Sequence, residues 1–360
     1  MTFSESDIIK ALSTVEDPDL KKDLVSLNMI RDVDIEGNTV RFTVVLTTPA
    51  CPLKEMLRKQ CIEAVKKQVG EDVDVDVNIT ADVTTVRNQS PVLPNVKNII
   101  AIASGKGGVG KSTVTSNLAL ALAESGSKVG IIDADIFGPS IPVMFNTESA
   151  KPGVVKMEGK NMIIPIEQYG IKLLSIGYLA PAEDAVVWRG PMASSALKQF
   201  LTDTHWGELD YLLIDLPPGT SDIHLTLVQT VPLTGAVIVT TPQKVALADA
   251  TKGISMFRQQ QINVPVLGVV ENMAYFTPEE LPDNKYYLFG QDGGKLLARR
   301  YEIPFLGEIP IVQSIRESGD KGEPAIMHHE ASSLAFRQIA QELARNVAIR
   351  NANLETASLG

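Results

Sequence analysis

The chain has 360 residues, more than one hydrophobic core usually serves, so its length predicts two domains. Its 43 acidic residues outnumber 33 basic ones, and the formal net charge of −10 disfavours non-specific binding to nucleic acid. The sequence has no run of about eighteen apolar residues, so no membrane span is predicted. Its acidic start lacks the apolar stretch of a secretory signal. The two cysteines, Cys51 and Cys61, are too few for a disulfide framework and fit a reducing, cytoplasmic compartment.

Residues 1–82 are predicted to form a small α+β domain. A capping-box pattern at Ser4, followed by apolar residues at helical spacing, indicates a short first helix. Residues 29–44 alternate apolar and polar side chains around a Gly-Asn turn, which indicates a β-hairpin, and residues 73–79 alternate in the same way. Pro52 is predicted to open a second helix, because proline suits the first helical position.

Residues 83–95, with several prolines and polar side chains, are predicted to be a linker. In residues 96–350, apolar strands alternate with stretches of helix length, which is typical of an α/β fold with a mostly parallel sheet flanked by helices. The last predicted helix, residues 332–347, has few basic residues on its polar face. The sequence therefore favours packing of this helix against the sheet over binding to a membrane surface. Residues 351–360 are predicted to form a tail. The predicted strands are 99–103, 129–132, 171–176, 211–216, 236–240, 266–270 and 305–309, and the predicted helices are 192–202, 222–230, 244–261, 293–300 and 332–347.

The segment from Ser104 to Thr113 reads S-G-K-G-G-V-G-K-S-T and lies between an apolar run and a helix-forming run. This is the complete G-x-x-x-x-G-K-S spacing of a P-loop in its strand–loop–helix context. Glycines let backbone N–H groups cradle phosphate oxygens, and the helix N-terminus behind them adds a partial positive charge. Lys111 is predicted to reach the β- and γ-phosphates, and the Ser112 hydroxyl is predicted to bind Mg²⁺. The predicted nucleotide-binding residues of this loop are Gly105, Lys106, Gly107, Gly108, Val109, Gly110, Lys111, Ser112 and Thr113.

Two further strand ends supply carboxylates. Asp133 and Asp135 follow the second strand of the α/β region, and Asp215 follows four apolar residues of a later strand. Because the carboxyl ends of parallel strands meet at one edge of a sheet, all three side chains are expected near the P-loop. Asp215 has the Walker B form and is predicted to hold Mg²⁺ together with Ser112. Asp133 and Asp135 are predicted to be catalytic, orienting or deprotonating the attacking water; the alternative for each is a capping role for the next segment.

Lys106 has no function in an ordinary P-loop. The pattern K-G-G-V-G-K-S nevertheless resembles the deviant Walker A motif of the MinD/ParA class of P-loop ATPases. That resemblance implies a homodimer that sandwiches two ATP molecules, in which Lys106 reaches the nucleotide of the partner and stabilises charge as an arginine finger does. The alternative is a solvated loop lysine.

Several motifs together resemble the Mrp/ApbC family of iron–sulfur carrier ATPases. They are the P-loop, Asp133–Ser140, Trp188–Met192, Asp215–Asp222 and Glu271–Met273. Residues 1–82, which contain Asp-Pro-Asp and Thr-Pro-Ala-Cys-Pro motifs, resemble the iron–sulfur-assembly domain often fused ahead of such ATPases. The resemblance implies ATP binding, slow Mg²⁺-dependent hydrolysis, dimerisation and transfer of a [4Fe–4S] cluster to apo-proteins, with scaffold proteins as further partners.

The same resemblance implies that Asn272 recognises adenine and that Pro310 lines the base.

The sequence departs from the family pattern at the expected cluster ligands. Most family members carry a C-x-x-C pair after the E-N-M motif, whereas this chain has no cysteine after Cys61. A [4Fe–4S] cluster normally takes four thiolates, so the ATPase domain is not expected to hold one in the usual way. Some members, including a chloroplast branch, also lack the pair.

Cys51 is the remaining candidate cluster ligand. It precedes a predicted helix, whose N–H groups and dipole favour the thiolate; the alternative is a packed, partly buried cysteine. Cys61 lies on the apolar stripe of that helix and is expected in the core. Three functions therefore stay open: a cluster carrier, a regulatory or scaffolding ATPase that binds no cluster, and a MinD-like membrane-positioning ATPase. The last is disfavoured because no basic amphipathic tail is present.

Overall fold

The computed structural model describes residues 3–87, 92–136, 138–157, 159–179, 190–278, 281, 283–328 and 331–358. The chain divides into two compact units, Met1–Val86 with Ala344–Gly360, and Arg87–Leu343. The predicted linker spans this boundary, and its residues 88–91 lie outside the described part of the chain, as do Trp188 and Arg189 of the quoted motifs.

Within residues 3–86, the first unit contains a three-stranded sheet in the order β3-β4-β5 and two helices. Strands β3 and β4 form the predicted antiparallel hairpin, whereas β4 and β5 pair in parallel and α2 forms the crossover between them. The prediction that Pro52 opens α2 is wrong, because the helix begins at Lys54 and Pro52 lies in the preceding turn. The elements of this unit are α1 (Glu5–Leu12), β1 (Glu16–Asp17), β2 (Lys22–Asp23), β3 (Ile30–Glu36), β4 (Thr39–Leu46), α2 (Lys54–Val69) and β5 (Asp74–Ala81).

The second unit is built on an eight-stranded sheet in the order β10-β11-β7-β12-β6-β13-β14-β15. Its strands are β6 (Val96–Ala103), β7 (Val129–Asp133), β8 (Gly153–Met157), β9 (Lys160–Ile164), β10 (Ile166–Gln168), β11 (Ile171–Ser175), β12 (Leu209–Asp215), β13 (Gly235–Thr240), β14 (Val266–Glu271) and β15 (Phe305–Glu308). Its helices are α3 (Lys111–Glu124), α4 (Ile141–Met144), α5 (Gly190–Thr202), α6 (Asp222–Thr230), α7 (Lys244–Phe257), α8 (Gly293–Arg300), α9 (Gln313–Lys321) and the first part of α10 (Ala331–Ser358), whose residues from Ala344 onward belong to the first unit.

Every neighbouring pair in the large sheet is parallel except β10 with β11. Strand β6 lies near the middle of the sheet, and the side chains of residues 99–102 are fully buried, which explains the unbroken apolar run that leads into the P-loop. The predicted fold class is confirmed: a P-loop α/β domain with a mostly parallel sheet flanked by helices, preceded by a small α+β unit. Among the described residues, no helix is both long and apolar enough to cross a membrane.

Some elements differ from those predicted. The hairpin β8–β9 and helix α9 were not predicted, since β8 is exposed throughout and α9 is polar. Helix α7 ends at Phe257, four residues earlier than predicted, where the chain turns back so that Val264 N–H donates to the Phe257 carbonyl (2.9 Å). Helix α10 continues through most of the predicted tail to Ser358, and the buried Asn351 amide donates to the Thr84 carbonyl (2.9 Å).

Candidate nucleotide-binding site

The P-loop connects the end of β6 to the start of α3, as predicted. Gly108 and Gly110 adopt φ values of +79°, in the left-handed region where a side chain is strained. Gly105 is required for a different reason: a Cβ atom there would lie 2.1 Å from the backbone carbon of Asp249, in helix α7. The loop glycines therefore serve both the turn itself and close packing against a helix that follows much later in the chain.

A cavity of about 230 Å³ opens over this loop. It is lined by Ser104, Lys106, Gly107, Gly108, Val109, Gly110, Lys111, Ser112, Thr113, Asp135, Ser140, Met144 and Pro218. All the predicted loop residues from Lys106 to Thr113 thus surround one space. Gly105, Asn272 and Pro310 do not line it.

Parallel pairing brings three polar side chains into one row at the edge of the sheet. Ser175 ends β11 and is paired with Asp133 at the end of β7, which is paired in turn with Asp215 at the end of β12. Asp215 is also paired with Ile102 of β6, just before the P-loop. The strand register therefore places both acidic motifs beside the loop, as expected from the topology of a parallel sheet.

Both carboxylate oxygens of the fully buried Asp215 are engaged by helix α3. Oδ2 accepts a hydrogen bond from Ser112 Oγ (2.5 Å) and lies 2.9 Å from Lys111 Nζ. Oδ1 accepts a hydrogen bond from Thr115 Oγ1 (2.7 Å). The predicted metal-binding pair, Ser112 and Asp215, is thus brought together with Lys111. Their hydroxyl and carboxylate oxygens form a hard-donor set that suits Mg²⁺.

The two predicted catalytic aspartates occupy different environments. Asp135 lines the cavity, and its Oδ2 lies 3.7 Å from Lys111 Nζ. Asp133 is fully buried and accepts hydrogen bonds from the backbone N–H of Asp135 (3.2 Å), the backbone N–H of Ile141 (3.2 Å) and Ser175 Oγ (2.9 Å). Burial, and next the negative charge of Asp215, raise the pKa of Asp133 above that of an ordinary carboxyl. The contacts of Asp133 favour the capping alternative, whereas Asp135 faces the space over the loop.

Lys106 is exposed at the rim of the cavity. Its backbone carbonyl accepts a hydrogen bond from Ser104 Oγ (3.0 Å), which fixes the loop at this point. Within the described ranges, its ammonium makes no hydrogen bond or ion pair. The predicted function in the partner's site stays a prediction, but the side chain is accessible for it.

Asn272 contacts the P-loop from the end of β14. Its side-chain Nδ2 donates to the Val109 carbonyl (2.8 Å), and its backbone N–H donates to the Thr240 carbonyl (2.8 Å). The same Nδ2 would lie 2.2 Å from a Cβ atom at Gly110, so this contact explains part of the glycine requirement there. Pro310 lines a separate cavity of about 800 Å³ next to Tyr275. The adenine contacts of Asn272 and Pro310 stay predictions.

Three polar residues near the site were not predicted. Thr115 and Ser175 hold the carboxylates of Asp215 and Asp133, and Glu271 accepts a hydrogen bond from the backbone N–H of Gly294 at the start of α8. Burial raises the pKa of Glu271, and the Gly294 N–H partly offsets that rise. Thr115 could have been found from the sequence, because it follows Lys111 by four residues and so lies on the same face of α3.

The environment of Cys51 contradicts one expectation. Burial raises the pKa of its thiol, the N–H of Leu53 partly offsets this, and the charges of Asp17 and Asp19 raise it further. The expected thiolate-favouring helix N-terminus is therefore outweighed. Cys61 is fully buried in the core of the first unit, as expected. No group of three or more His, Cys, Asp or Glu side chains able to hold a metal ion is found among the residues that the structure describes.

The sequence model of the NUBPL iron-transfer P-loop NTPase family matches residues 95–348 of this chain. The chain belongs to that family. A second family model, for iron–sulfur cluster assembly proteins, matches residues 5–79. Two family models thus match successive stretches of this P-loop NTPase.

Curated relatives resemble this P-loop NTPase over nearly its full length. An iron–sulfur cluster carrier protein of Synechocystis sp. is 48% identical over 350 residues, covering 95% of this chain and 97% of the relative. The chloroplastic Fe–S cluster assembly factor HCF101 of Arabidopsis thaliana is 44% identical, over 92% of this chain and 62% of that protein. A nucleotide-binding protein of Archaeoglobus fulgidus, solved in complex with ADP, is 42% identical, with a TM-score of 0.57 over 67% of this chain and 92% of its own.

Proposed function

We propose that this chain is a Mg²⁺-dependent ATPase that assembles or delivers iron–sulfur clusters to apo-proteins. The observation that carries the proposal is the convergence of Lys111, Ser112 and Asp215 within hydrogen-bonding distance at one edge of the sheet. The related protein solved with ADP supports nucleotide binding, and the carrier names of the relatives support the cluster function.

The cavity over the P-loop fits a triphosphate in chemical terms. Backbone N–H groups of the loop and the N-terminus of α3 would bind the phosphate oxygens, with Lys111 as the charged contact. Ser112 and Asp215 would hold Mg²⁺, which neutralises charge on the β- and γ-phosphates when bound. Asp135, which lines the cavity, would orient water, whereas the buried Asp133 would support the loop around it.

The active unit in this proposal is a homodimer. Lys106 is exposed and makes no ion pair among the described side chains, so its ammonium is available to a nucleotide bound by a second copy. A cation brought to the phosphates only in the dimer would couple hydrolysis to association, by the physics of an arginine finger.

Cys51 is the proposed cluster ligand contributed by the first unit. It is only partly buried, unlike Cys61, and two copies in a dimer would supply two thiolates, leaving the other positions to a client, glutathione or other side chains. The raised pKa of its thiol is no obstacle to metal binding, since iron itself promotes loss of the thiol proton.

A regulatory or scaffolding ATPase that binds no cluster is the second candidate. It is favoured by the lack of any metal-holding group of three or more His, Cys, Asp or Glu side chains in the described part of the chain. In that case nucleotide state alone would control the capture of partner proteins.

Anaerobic reconstitution with iron and sulfide separates these two functions. We expect the wild-type protein to bind iron and absorb in the visible range, and Cys51→Ala to lose at least half of the bound iron. Cys61→Ala is the matched thiol control, checked for folding because it creates a small cavity. A colourless wild-type protein that captures partners only with ATP supports the scaffolding function, and equal iron in Cys51→Ala removes Cys51 as the ligand.

A further inference from the structure

We propose that Thr115 is a positioning residue for the Mg²⁺ site, holding the carboxylate of Asp215 so that one of its oxygens meets Ser112. The proposal rests on the Mg²⁺-dependent ATPase function proposed above. Thr115 lies outside the P-loop motif, and its hydroxyl connects the interior of α3 to the end of β12.

The location of Thr115 follows from helical geometry. It follows Lys111 by four residues in α3, so both side chains project from the same face of the helix. That face meets the end of β12, and the Thr115 side chain is fully buried there. A buried hydroxyl needs a hydrogen-bond partner, and the carboxylate of Asp215 provides one.

The Thr115 hydroxyl has two acceptors within reach but only one hydrogen. Asp215 Oδ1 lies at 2.7 Å, and the carbonyl oxygen of Lys111 lies at 3.0 Å. A hydrogen bond to an ionised carboxylate is shorter and stronger than one to a neutral carbonyl. The hydrogen is therefore assigned to Asp215.

This hydrogen bond determines how the carboxylate of Asp215 is turned. The terminal torsion of an aspartate is broad, so side-chain preferences alone do not fix the plane of its carboxylate. With Oδ1 held by Thr115, Oδ2 is directed at Ser112 Oγ (2.5 Å) and Lys111 Nζ (2.9 Å). Without Thr115, Oδ1 would be a buried acceptor that lacks this donor, and turning the carboxylate to find another would move Oδ2.

Mg²⁺ is the group most sensitive to such a turn. It requires near-ideal octahedral geometry, so a displaced carboxylate oxygen weakens its binding. The triphosphate itself would be bound by the N–H groups of the loop and the ammonium of Lys111, and the Thr115 hydroxyl makes no hydrogen bond to either. Loss of the hydroxyl should therefore affect the affinity for Mg²⁺ more than the affinity for ATP in the absence of metal.

The test measures ATP binding by calorimetry on the full chain, with Mg²⁺ titrated and, separately, in EDTA. Thr115→Val and Thr115→Ala remove the hydroxyl, the first with little change in volume, and Thr115→Ser retains it. Thr251→Val is the control, because Thr251 Oγ1 donates to the carbonyl four residues earlier in α7 (Leu247, 2.9 Å), the same helical spacing that separates Thr115 from Lys111 in α3. Thermal unfolding of each variant checks the fold.

We expect the Mg²⁺ concentration at half-saturation to rise about tenfold in Thr115→Val, as for loss of a hydrogen bond to a charged group. Binding in EDTA should stay within about twofold of wild type, Thr115→Ser should resemble wild type, and Thr251→Val should show no shift. Thr115→Ala carries the same expectation if valine prevents folding. An unchanged Mg²⁺ dependence, or an equal loss with and without Mg²⁺, would overturn the proposal. A wild-type protein that binds ATP equally in EDTA would contradict the Mg²⁺ function itself rather than Thr115.

Discussion

The P-loop site and the segment around Cys51 differ in how completely the fold determines them. At the P-loop, a single carboxylate, that of Asp215, is held by three donors from one helix. Around Cys51, the thiol is partly buried, and the charge of Asp19 acts on it while Asp19 itself pairs with Arg345 (Nε to Oδ2, 2.8 Å). The nucleotide site is assembled within a single chain, whereas the proposed cluster site has one thiol from this chain and would need ligands from elsewhere.

That difference separates the two parts of the proposed function. Nucleotide binding needs only groups that this chain already brings together, so single substitutions there should have large and simple effects. The proposed cluster binding would depend on groups outside the chain, so the effect of Cys51→Ala should depend on which other ligands are present. The predictions below test how complete the nucleotide site is within one chain, and substitution of Lys106 tests its proposed dependence on a second copy.

Removing Lys111 should have the largest effect. Lys111→Ala should weaken Mg²⁺–ATP binding by about a hundredfold or more, because it leaves the phosphates and the buried Asp215 without their cation. Calorimetry measures the affinity, and the exposed Lys128→Ala, which removes only a surface pair with Glu208, is the control. Near-normal binding in Lys111→Ala would show that the nucleotide lies elsewhere.

Lys106→Ala should lower turnover by about a hundredfold while leaving ATP affinity nearly unchanged, since a cation delivered in trans acts on the transition state. Mixing Lys106→Ala with Lys111→Ala gives the sharper measurement. In the mixed dimer, one protomer retains Lys111 for its own nucleotide and receives Lys106 from the other. Recovery of hydrolysis on mixing supports action of Lys106 in trans. If the mixture stays inactive although mixed dimers form, action in trans is contradicted.

Gly105→Ala should destabilise the second unit by about 3 kcal/mol, because the new Cβ atom would overlap the backbone of Asp249. Gly319→Ala, in α9 with no atom within 4 Å of the added carbon, is the matched control. It should be neutral or stabilising by about 0.5 kcal/mol, as expected for alanine in a helix. Urea unfolding compares the two, and equal stability would show that α7 does not constrain the loop.

Asp133→Asn should change the pH dependence of stability, which is the smallest of these effects. The folded-state pKa of Asp133 is raised above the ordinary 3.8, so its contribution to wild-type stability is present at low pH and is lost as pH rises through the folded value. The variant lacks this loss. The free energy of unfolding of Asp133→Asn, measured relative to that of wild type, should therefore rise by on the order of 1 kcal/mol between about pH 5 and pH 8.

That comparison is made by urea unfolding in EDTA without nucleotide, so that no metal alters the local charge. The asparagine amide replaces a carboxylate that accepts a hydrogen bond from the N–H of Ile141, and this replacement has its own free-energy cost. That cost is the same at both pH values, so it cancels when the change in stability between about pH 5 and pH 8 is compared. Asp203→Asn, at an exposed position of the same unit, is the control. A difference that stays flat, or that falls with pH, would contradict the raised pKa.

The sequence predicted the nucleotide site better than its surroundings. The spacing around Lys111 is local, and the alternation of strands and helices implied a parallel sheet, which was enough to bring Asp133 and Asp215 to the loop. Ser175 was missed because a lone hydroxyl acquires its function from a neighbour distant in sequence, here Asp133. Thr115 was also missed, although its spacing of four residues from Lys111 in α3 could have indicated it. The thiolate expectation for Cys51 failed because burial, which the sequence does not reveal, outweighs the nearby helix.

The amide of Asn272 has a consequence for redesigning base preference. The resemblance to the family implies that the side-chain amide of Asn272 recognises adenine. In this structure, the same amide donates a hydrogen bond to the Val109 carbonyl of the P-loop (2.8 Å). Any substitution at this position intended to admit another base therefore removes a support of the phosphate-binding loop as well. Selectivity and loop geometry would change together, so a library aimed at the base would need to restore a donor to Val109 from another residue.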